Sequence, residues 1–164
     1  MLDLLIYVGS ALIITFGFVL FFGAPYLPTM RAQVEQALDM LDLRPGQRLL
    51  ELGSGDGRFM RAAARRGIHC VGYEINPLLV WWSRLVCWRY RDLVEVRMAN
   101  YWSVQWPKAD GIYAFILQKY MGKLDNKIMQ YVEGSGKCKL VSYTFTVPER
   151  EPVESKKGLF LYEY

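Results

Sequence analysis

The sequence has few of the residues that metal sites and hydrolytic triads require. It contains one histidine, His69, and three scattered cysteines, Cys70, Cys87 and Cys138, which form no C-x-x-C pair. This pattern excludes a zinc-ribbon type of site and argues against a disulfide framework. A Ser-His-Asp triad would have to use His69, which begins a predicted strand and is interpreted as structural. We therefore expect no metal, and the thiols indicate a reducing compartment.

Charged residues are absent from the chain between Asp3 and Arg31. Residues 4–22 are almost continuously apolar, and at about 1.5 Å per residue a helix of this length crosses the roughly 30 Å hydrocarbon core of a bilayer. A cleaved signal peptide is the alternative, but no basic segment precedes the apolar run and no A-x-A-like site stands out. We therefore predict one uncleaved transmembrane helix within residues 1–24, in contact with the lipid bilayer.

The rest of the chain divides into a short connecting part and one domain. Residues 25–44 contain two prolines and then a leading helix, for which Thr29 is the predicted N-cap. Residues 45–164 are enough for a single catalytic domain. Arg31 and Arg48 follow the predicted span, so the positive-inside rule places this domain on the cytoplasmic or matrix-like side of a single-pass membrane protein. The formal charge of +4 suits an anionic membrane surface, and we expect no nucleic-acid partner.

A glycine-rich loop follows the first predicted strand of this domain. Residues 49–52 form a short apolar run that predicts a buried parallel strand, and residues 58–66 are typical of a helix. Between them, Gly53, Gly55 and Gly57 allow positive φ angles and a close approach of the backbone to a ligand. The first turn of the helix would present free N–H groups above the loop.

A second predicted strand, residues 69–74, lies at the distance that a nucleoside site requires. It ends in Glu74, about twenty residues after the glycine loop, where nucleoside-binding α/β units place the carboxylate that binds the ribose hydroxyls. The order of strand, glycine loop, helix, strand and acid therefore predicts a nucleoside cofactor site. The alternative is a glycine-rich turn with only a structural role.

The spacing of the glycines distinguishes between cofactors. Dinucleotide-binding folds favour G-x-G-x-x-G, whereas this chain has E-x-G-x-G-x-G from Glu51 to Gly57. That pattern resembles motif I of the class I S-adenosylmethionine-dependent methyltransferases. The resemblance implies S-adenosylmethionine as the cofactor, whose ammonium and sulfonium groups suit acids such as Glu51 and Asp56. A nicotinamide-dependent dehydrogenase is disfavoured because the glycine spacing differs.

The next two predicted elements are a helix and a strand that leads to the cofactor crevice. Asn76 and Pro77 predict the start of a helix whose tryptophans are interpreted mainly as packing, some against the sheet and some at the membrane interface: Trp81, Trp82 and Trp88. Residues 93–98 alternate as a strand. At its end, Asn100 is placed to reach the adenine edge, and Tyr101 or Trp102 to stack on the base.

The fourth predicted strand, residues 110–117, brings Gln118, Lys119 and Tyr120 to the same rim. Tyr120, Gln118 and Asp110 are the rim residues considered as a general base, but each is interpreted as structural and no base is assigned. Helices and strands alternate through the chain, which predicts a Rossmann-like α/β fold. Its mostly parallel sheet would carry helices on both faces, with the last strand, residues 159–164, at an edge.

At this point the chain resembles a particular group within the methyltransferases. It is similar to the small membrane-anchored protein-lysine methyltransferases typified by the mitochondrial enzymes that modify the adenine nucleotide translocase and the ATP synthase c-ring. Three segments carry the resemblance: Pro25-Tyr26-Leu27-Pro28-Thr29, Glu51-Leu52-Gly53-Ser54-Gly55-Asp56-Gly57-Arg58, and Val71-Gly72-Tyr73-Glu74-Ile75-Asn76-Pro77-Leu78-Leu79-Val80-Trp81.

The resemblance implies a class I methyltransferase domain in which the glycine loop holds the methionine part of the cofactor and Glu74 holds its ribose. Asn100 stands where the superfamily usually has an aspartate near the adenine. The carboxyl-terminal part looks abbreviated, so that an edge strand or a helix would be missing. The cofactor-binding residues are then Glu51, Gly53, Ser54, Gly55, Asp56, Gly57, Glu74, Ile75, Asn100 and Tyr101.

The resemblance also implies the reaction and its acceptor. We expect N-methylation of a lysine of a membrane protein. No Asn-Pro-Pro-Tyr or Asp-Pro-Pro-Tyr follows the fourth strand, which argues against methylation of adenine or of a glutamine amide. Two alternatives remain open, namely a small-molecule or lipid-like acceptor and a non-catalytic, membrane-anchored cofactor-binding module.

Overall fold

The computed structural model describes residues 6–7, 9–10 and 29–164 of the chain. Apart from the first four of these positions, the predicted anchor within residues 1–24 and the proline linker at 25–28 lie outside the described residues. Over the part that is described, no helix combines the length and the hydropathy that crossing a bilayer requires.

Four helices and seven strands alternate along residues 31–163. The helices are α1 (Arg31–Leu41), α2 (Arg58–Arg65), α3 (Pro77–Cys87) and α4 (Met121–Ser135). The strands are β1 (Arg48–Leu52), β2 (His69–Glu74), β3 (Val94–Met98), β4 (Gly111–Ala114), β5 (Lys139–Tyr143), β6 (Glu154–Lys156) and β7 (Leu159–Glu163). Short 3-10 turns follow α3 (Trp88–Tyr90) and precede α4 (Gln118–Tyr120).

All seven strands form one sheet in the order β3-β2-β1-β4-β5-β7-β6. Strands β1 to β5 are parallel, and β7 runs antiparallel to both β5 and β6. The expected Rossmann-like, mostly parallel sheet is confirmed. Because parallel strands all end at the same edge, the carboxyl ends of β1, β2, β3 and β4 meet in one crevice.

A hydrophobic core lies on each face of the sheet. Side chains alternate along β1, so that Leu49 packs with α1, α2 and α3, while Leu50 and Leu52 pack on the opposite face. That second face is covered by α4 and by the segment between β3 and β4, including Trp106. Helices therefore cover both faces, as the alternation of elements predicts.

The carboxyl-terminal end corrects the expectation of a missing edge strand. Residues 154–156, interpreted from the sequence as part of a charged loop, form β6, and β7 is an interior strand between β5 and β6. The connecting residues Lys157 and Gly158 both have positive φ, 50° and 79°, which is the tight turn that suits a twisted hairpin. The abbreviation takes another form, since no helix lies between β5 and β6.

The predicted cap of the leading helix is also corrected. Met30, not Thr29, occupies the N-cap position of α1, and its side chain makes no capping bond. The hydroxyl of Thr29 is instead hydrogen-bonded to the hydroxyl of Tyr113 on β4, with 2.8 Å between the oxygens. Both residues are buried, and a buried tyrosine hydroxyl requires a partner. Thr29 thus fastens the start of the domain to the middle of the sheet.

The cap of α3 is confirmed, but the interpretation of its tryptophans as mainly packing is wrong. The side chain of Asn76 accepts hydrogen bonds from the N–H groups of Leu78 and Leu79, and Pro77 is the first helical residue. Trp81, Trp82 and Trp88 are all exposed. The buried face of α3 consists of smaller residues, because the helix packs closely against the glycine loop.

Candidate functional site

The glycine loop turns sharply at the carboxyl end of β1. Gly53, Gly55 and Gly57 all have positive φ, at 92°, 52° and 76°, as the sequence predicts. The N–H groups of Gly53 and Ser54 both donate to the carbonyl of Tyr73, at 3.0 and 2.9 Å, which holds the loop against β2. A Cβ built on Gly53 meets no atom within 4 Å, so the backbone is open to a ligand on that side.

Gly57 has a different role, which is to allow α3 to approach. A Cβ at this position would lie 3.0 Å from the Sγ of Cys87 and 3.0 Å from the Cβ of Ser83. The thiol of Cys87 also donates to the carbonyl of Gly57 at 3.7 Å. Burial raises the pKa of this thiol to about 11, so it is a neutral packing group.

Replacing Gly57 with alanine is therefore expected to destabilise the domain. A positive φ and two contacts near 3.0 Å together cost roughly 2–4 kcal/mol in the free energy of unfolding, measured by urea denaturation. Gly134, an exposed glycine in α4 with nothing within 4 Å of a built Cβ, is the matched control. Gly134→Ala is expected to stabilise the protein by about 0.5–1 kcal/mol. Equal effects at the two positions would contradict the close packing of α3 on the loop.

Glu74, at the end of β2, ties the glycine loop to the loop that follows it. Its Oε2 accepts a hydrogen bond from the N–H of Gly55 at 3.0 Å. Its Oε1 accepts from the N–H groups of Ile75 and Asn76, both at 2.8 Å. The carboxylate is half-buried at the crevice, and each oxygen retains lone-pair capacity for a further donor. The ribose-binding role expected for Glu74 is compatible with this geometry.

Glu51 is a buried carboxyl group beneath the same loop. It is 4% exposed and shares its side of β1 with Leu49. Burial raises its pKa well above the usual value, and the charges of Asp56 and Glu74 raise it further. Its Oε2 finds no hydrogen-bond partner among the described residues. An orphaned carboxylate oxygen at this point is the environment that a cationic ligand group would stabilise, so the site fits the ammonium of S-adenosylmethionine.

Asp56, the other acid expected to suit the cofactor, is engaged within the protein. Its carboxylate forms an ion pair with Arg58, with Nη2 and Oδ2 2.7 Å apart, and it accepts from the Arg58 N–H at 3.1 Å. Asp56 therefore holds the first turn of α2. The Arg58 side chain also donates to the carbonyl of Thr29 at 3.1 Å, which links the loop to the start of the domain.

The remaining loop residues of the expected set differ in their surroundings. Ser54 is buried, and its hydroxyl has no partner among the described residues. Ile75 is half-buried beside Glu74 and offers an apolar surface next to that carboxylate. Both lie within the loops that form the crevice, so the structure brings the Glu51-to-Gly57 loop, Glu74 and Ile75 together.

Asn100 and Tyr101 follow β3 at the third side of the crevice. The Asn100 side chain accepts from the N–H of Trp102 at 3.0 Å, which leaves its amide NH₂ as the group directed to a ligand. Tyr101 is half-buried, and its ring lies 4.9 Å from the Trp102 ring. Burial raises the pKa of Tyr101 to about 12, with further contributions from Glu74 and Tyr120. These two neighbours place Tyr101 between the cofactor side and the β4 side of the crevice.

Aromatic rings and lysines line the rim on the β4 side. The rings of Trp102 and Tyr120 lie 6.2 Å apart. The ammonium of Lys123 lies 4.5 Å from the centre of the Trp102 ring, and that of Lys119 lies 4.9 Å from the Tyr120 ring. Lys127, one turn after Lys123 on α4, donates to the carbonyls of Trp102 and Val104 and so holds this segment in place. The sequence analysis missed Lys123 and Lys127, although their i, i+4 spacing is visible in it.

Asp110 is not on this rim, which corrects its assignment there. Strand β4 begins at Gly111, so Asp110 lies at the amino edge of the sheet, away from the crevice. Its carboxylate accepts from the N–H of Arg48, the first residue of β1, at 2.8 Å. The error arose because residues 110–117 were treated as one strand, whereas the strand ends at Ala114. Gln118 and Tyr120 do follow the carboxyl end of β4.

No metal site accompanies the crevice in the described part of the chain, which contains no group of three or more His, Cys, Asp or Glu side chains able to hold an ion. Among the described residues, the features that suit a ligand are the open glycine loop, the two carboxylates beneath it and the aromatic rim. Such a site can bind a nucleoside that carries a cationic group and can place an acceptor next to it.

Comparison with known proteins agrees with this geometry. A family model described as the ANTKMT methyltransferase domain matches residues 51–154. A lysine N-methyltransferase of Homo sapiens named for the c-ring protein of ATP synthase is 32% identical over 130 residues, which cover 78% of this chain and 54% of that protein. The adenine nucleotide translocase lysine N-methyltransferase of Mus musculus is 33% identical over 132 residues, covering 79% and 56%. This chain thus spans about half the length of the curated relatives it matches.

A solved structure is similar over nearly its whole length. The crystal structure of an RNA methyltransferase from Salinibacter ruber in complex with S-adenosyl-L-homocysteine superposes with a TM-score of 0.75 at 29% identity, covering 84% of this chain and 92% of that one. The presence of S-adenosyl-L-homocysteine there supports a cofactor of the same class here. The family match and the relatives confirm the resemblance that the sequence motifs carry. The chain belongs to the family of the ANTKMT methyltransferase domain.

Proposed function

We propose that this chain is an S-adenosylmethionine-dependent methyltransferase that modifies a lysine of a membrane protein. The observation that carries the proposal is the buried, orphaned carboxyl of Glu51 beneath an open glycine loop, with Glu74 across the crevice. Family membership and the names of the two lysine N-methyltransferases support the reaction and the acceptor.

Each part of the crevice has a role in this reaction. Gly53 and Gly55 would lie against the methionine part of the cofactor, Glu51 would face its ammonium, and Glu74 would accept from the ribose hydroxyls. Asn100 and Tyr101 would hold the adenine. When bound, S-adenosylmethionine supplies an electrophilic methyl group for an in-line displacement, so the protein contributes mainly positioning and the exclusion of water.

An acceptor lysine must lose its proton before it can react, because its pKa in water is about 10.4. The aromatic rim offers two ways to favour the neutral amine. The rings of Tyr101, Trp102 and Tyr120 provide an apolar channel for the lysine stem, and the ammonium groups of Lys119 and Lys123 would repel a second positive charge. The same effects are visible at Lys127, whose pKa is lowered by burial and by Lys123.

The proposed location follows from the sequence. We place the chain as a single-pass membrane protein, with residues 1–24 in the bilayer and the catalytic domain on the cytoplasmic or matrix-like side. A short linker would keep the crevice near acceptors that lie close to the membrane surface.

The test is transfer of a labelled methyl group from S-adenosylmethionine to membranes of cells that lack the protein. We expect the full-length chain to label material that is destroyed by protease and retained after lipid extraction and ribonuclease treatment. The label should appear as methyl-lysine on hydrolysis. The exposed acid Glu133 on α4 provides the control, because Glu133→Gln should label like the wild type while Glu74→Ala should not.

The other outcomes discriminate among the alternatives. Label that follows the lipid extract indicates a lipid-like acceptor, and label lost to ribonuclease indicates RNA, the acceptor named for the Salinibacter ruber protein. Cofactor binding without any transfer would support the non-catalytic module. Each of these results would overturn the proposed lysine acceptor.

A further inference from the structure

Helix α3 has an exposed apolar face that the proposed reaction does not use. Its buried residues, Val80, Ser83 and Cys87, point toward the sheet and the glycine loop. At 100° per residue, the opposite face carries five large apolar side chains at the spacing i, i+3, i+4, i+7 and i+10: Leu78, Trp81, Trp82, Leu85 and Trp88. We call these five residues the α3 stripe. Its three tryptophans are 63%, 48% and 66% exposed.

The stripe belongs to a well-formed helix. Asn76 caps the first turn, and the guanidinium of Arg84 holds the helix to the edge strand β3 through two hydrogen bonds to the carbonyl of Val96, at 3.2 and 2.9 Å. The aromatic side chains are therefore presented outward by a helix fixed at both ends. A continuous apolar surface of this kind on a folded domain marks an interaction site.

The charge around the stripe identifies the partner. No acidic residue occurs from Pro77 to Arg91, whereas Arg89 and Arg91 are exposed at the carboxyl end of the helix. The guanidinium of Arg91 lies 5.3 Å from the centre of the Trp88 ring. Tryptophan beside arginine is the combination found where proteins meet the headgroup region of a bilayer, since the ring occupies the apolar boundary and the guanidinium meets anionic headgroups.

A basic pocket lies on the same side of the sheet. Helices α1, α2 and α3 share one core, with α2 in contact with each of the other two. A pocket of about 350 Å³ between α1 and α2 is lined by arginines, including Arg31, Arg61 and Arg65, and by a single acid, Glu35. The helical layer therefore presents positive charge next to the α3 stripe, and this charge complements an anionic surface.

The start of the described domain lies close to this layer. The carbonyl of Thr29 accepts from Arg58 on α2, and the neighbouring Gly57 is in contact with Cys87 on α3. The predicted membrane span ends within residues 22–24, which leaves about six residues, or at most roughly 20 Å of extended chain, before Thr29. A tether of this length keeps α3 within reach of the bilayer surface.

We infer that the α3 stripe inserts into the headgroup region of an anionic lipid bilayer and thereby fixes the orientation of the domain on the membrane. This contact is additional to the predicted anchor, and it stands whether or not the domain transfers methyl groups to lysine. It turns the helical layer toward the lipid and leaves α4, on the opposite face of the sheet, toward water.

The test uses the full-length chain in lipid nanodiscs, with a nitroxide label attached at position 85 through Leu85→Cys. Leu85 is exposed, and the native thiols are buried, so the label is selective and the fold is retained. The matched control is a label at position 133 through Glu133→Cys on α4. Electron paramagnetic resonance then compares the collision rates of each label with oxygen and with a water-soluble nickel chelate.

In discs that contain phosphatidylglycerol, the label at position 85 should be several-fold less accessible to nickel chelate than the label at position 133. Phosphatidylcholine discs, or the change of Arg89 and Arg91 to glutamate, should reduce this protection. Equal accessibility of the two positions in anionic discs would overturn the inference. Protection at position 85 that is the same in both lipids and in detergent would also overturn it, because the stripe would then be covered by another part of this chain or by a second copy.

Discussion

Replacing Glu74 with alanine is expected to lower the affinity of the chain for S-adenosylmethionine by about 100-fold or more. The change removes an ionised acceptor for two ribose hydroxyls, and hydrogen bonds to charged groups contribute about 1.5–3 kcal/mol each. It also frees the N–H groups of Gly55, Ile75 and Asn76, which the carboxylate now holds. The glycine loop would lose its link to the loop after β2, so the cofactor would meet a less ordered surface.

Isothermal titration calorimetry of the full-length chain in detergent measures this effect. We expect wild type and Glu133→Gln to bind S-adenosylmethionine and S-adenosyl-L-homocysteine but not NAD, and Glu74→Ala to bind neither nucleoside detectably. Glu74→Gln keeps the shape and one carbonyl acceptor, so it should fall between the two. If Glu74→Ala retained wild-type affinity while its circular dichroism remained native, the ribose role of Glu74 would be wrong. Binding of NAD alone would contradict the cofactor assignment.

Replacing Glu51 with glutamine is expected to separate binding from stability. Because the pKa of Glu51 is raised in the folded protein, the folded state holds this proton more tightly than the unfolded state. Wild-type stability should therefore fall as the pH rises from the usual carboxyl pKa through the raised one. Glutamine carries no charge, so the variant should be more stable than wild type at neutral pH, by on the order of 1–3 kcal/mol, and no more stable at low pH.

The same substitution should weaken cofactor binding by roughly 10- to 100-fold, since it removes the negative charge that would face the ammonium. Urea denaturation across the pH range measures the stability difference, and calorimetry measures the affinity. Proton release provides a further check, because a cation next to Glu51 lowers its pKa and expels the proton on binding. A variant that lost both stability and affinity would show that Glu51 is structural, and it would sink the ammonium assignment.

The cofactor loop was predictable because its determinants are local in the sequence. The glycines, the strand before them and the acid about twenty residues later specify the turn without reference to distant contacts, and Gly53, Gly55 and Gly57 adopt the expected positive φ angles. The cap of α3 was predictable for the same reason, since Asn76 and Pro77 act within one turn.

Other expectations failed where distant contacts decide the structure. Thr29 has the chemistry of an N-cap, but its hydroxyl is bonded to Tyr113, 84 residues away. Asp110 was placed at the wrong edge because a sequence pattern does not fix which residue begins a strand. The position of β7 inside the sheet depends on a hairpin that closes through Lys157 and Gly158.

The two contacts of Thr29 also have a practical and mechanical consequence. Its hydroxyl meets Tyr113 on the strand next to β1, and its carbonyl meets Arg58, which holds Asp56 of the cofactor loop. Any force on the preceding segment is therefore delivered to the two sides of the crevice. A shortened, water-soluble version of the protein must keep Thr29, because trimming past it would loosen the loop that the cofactor needs.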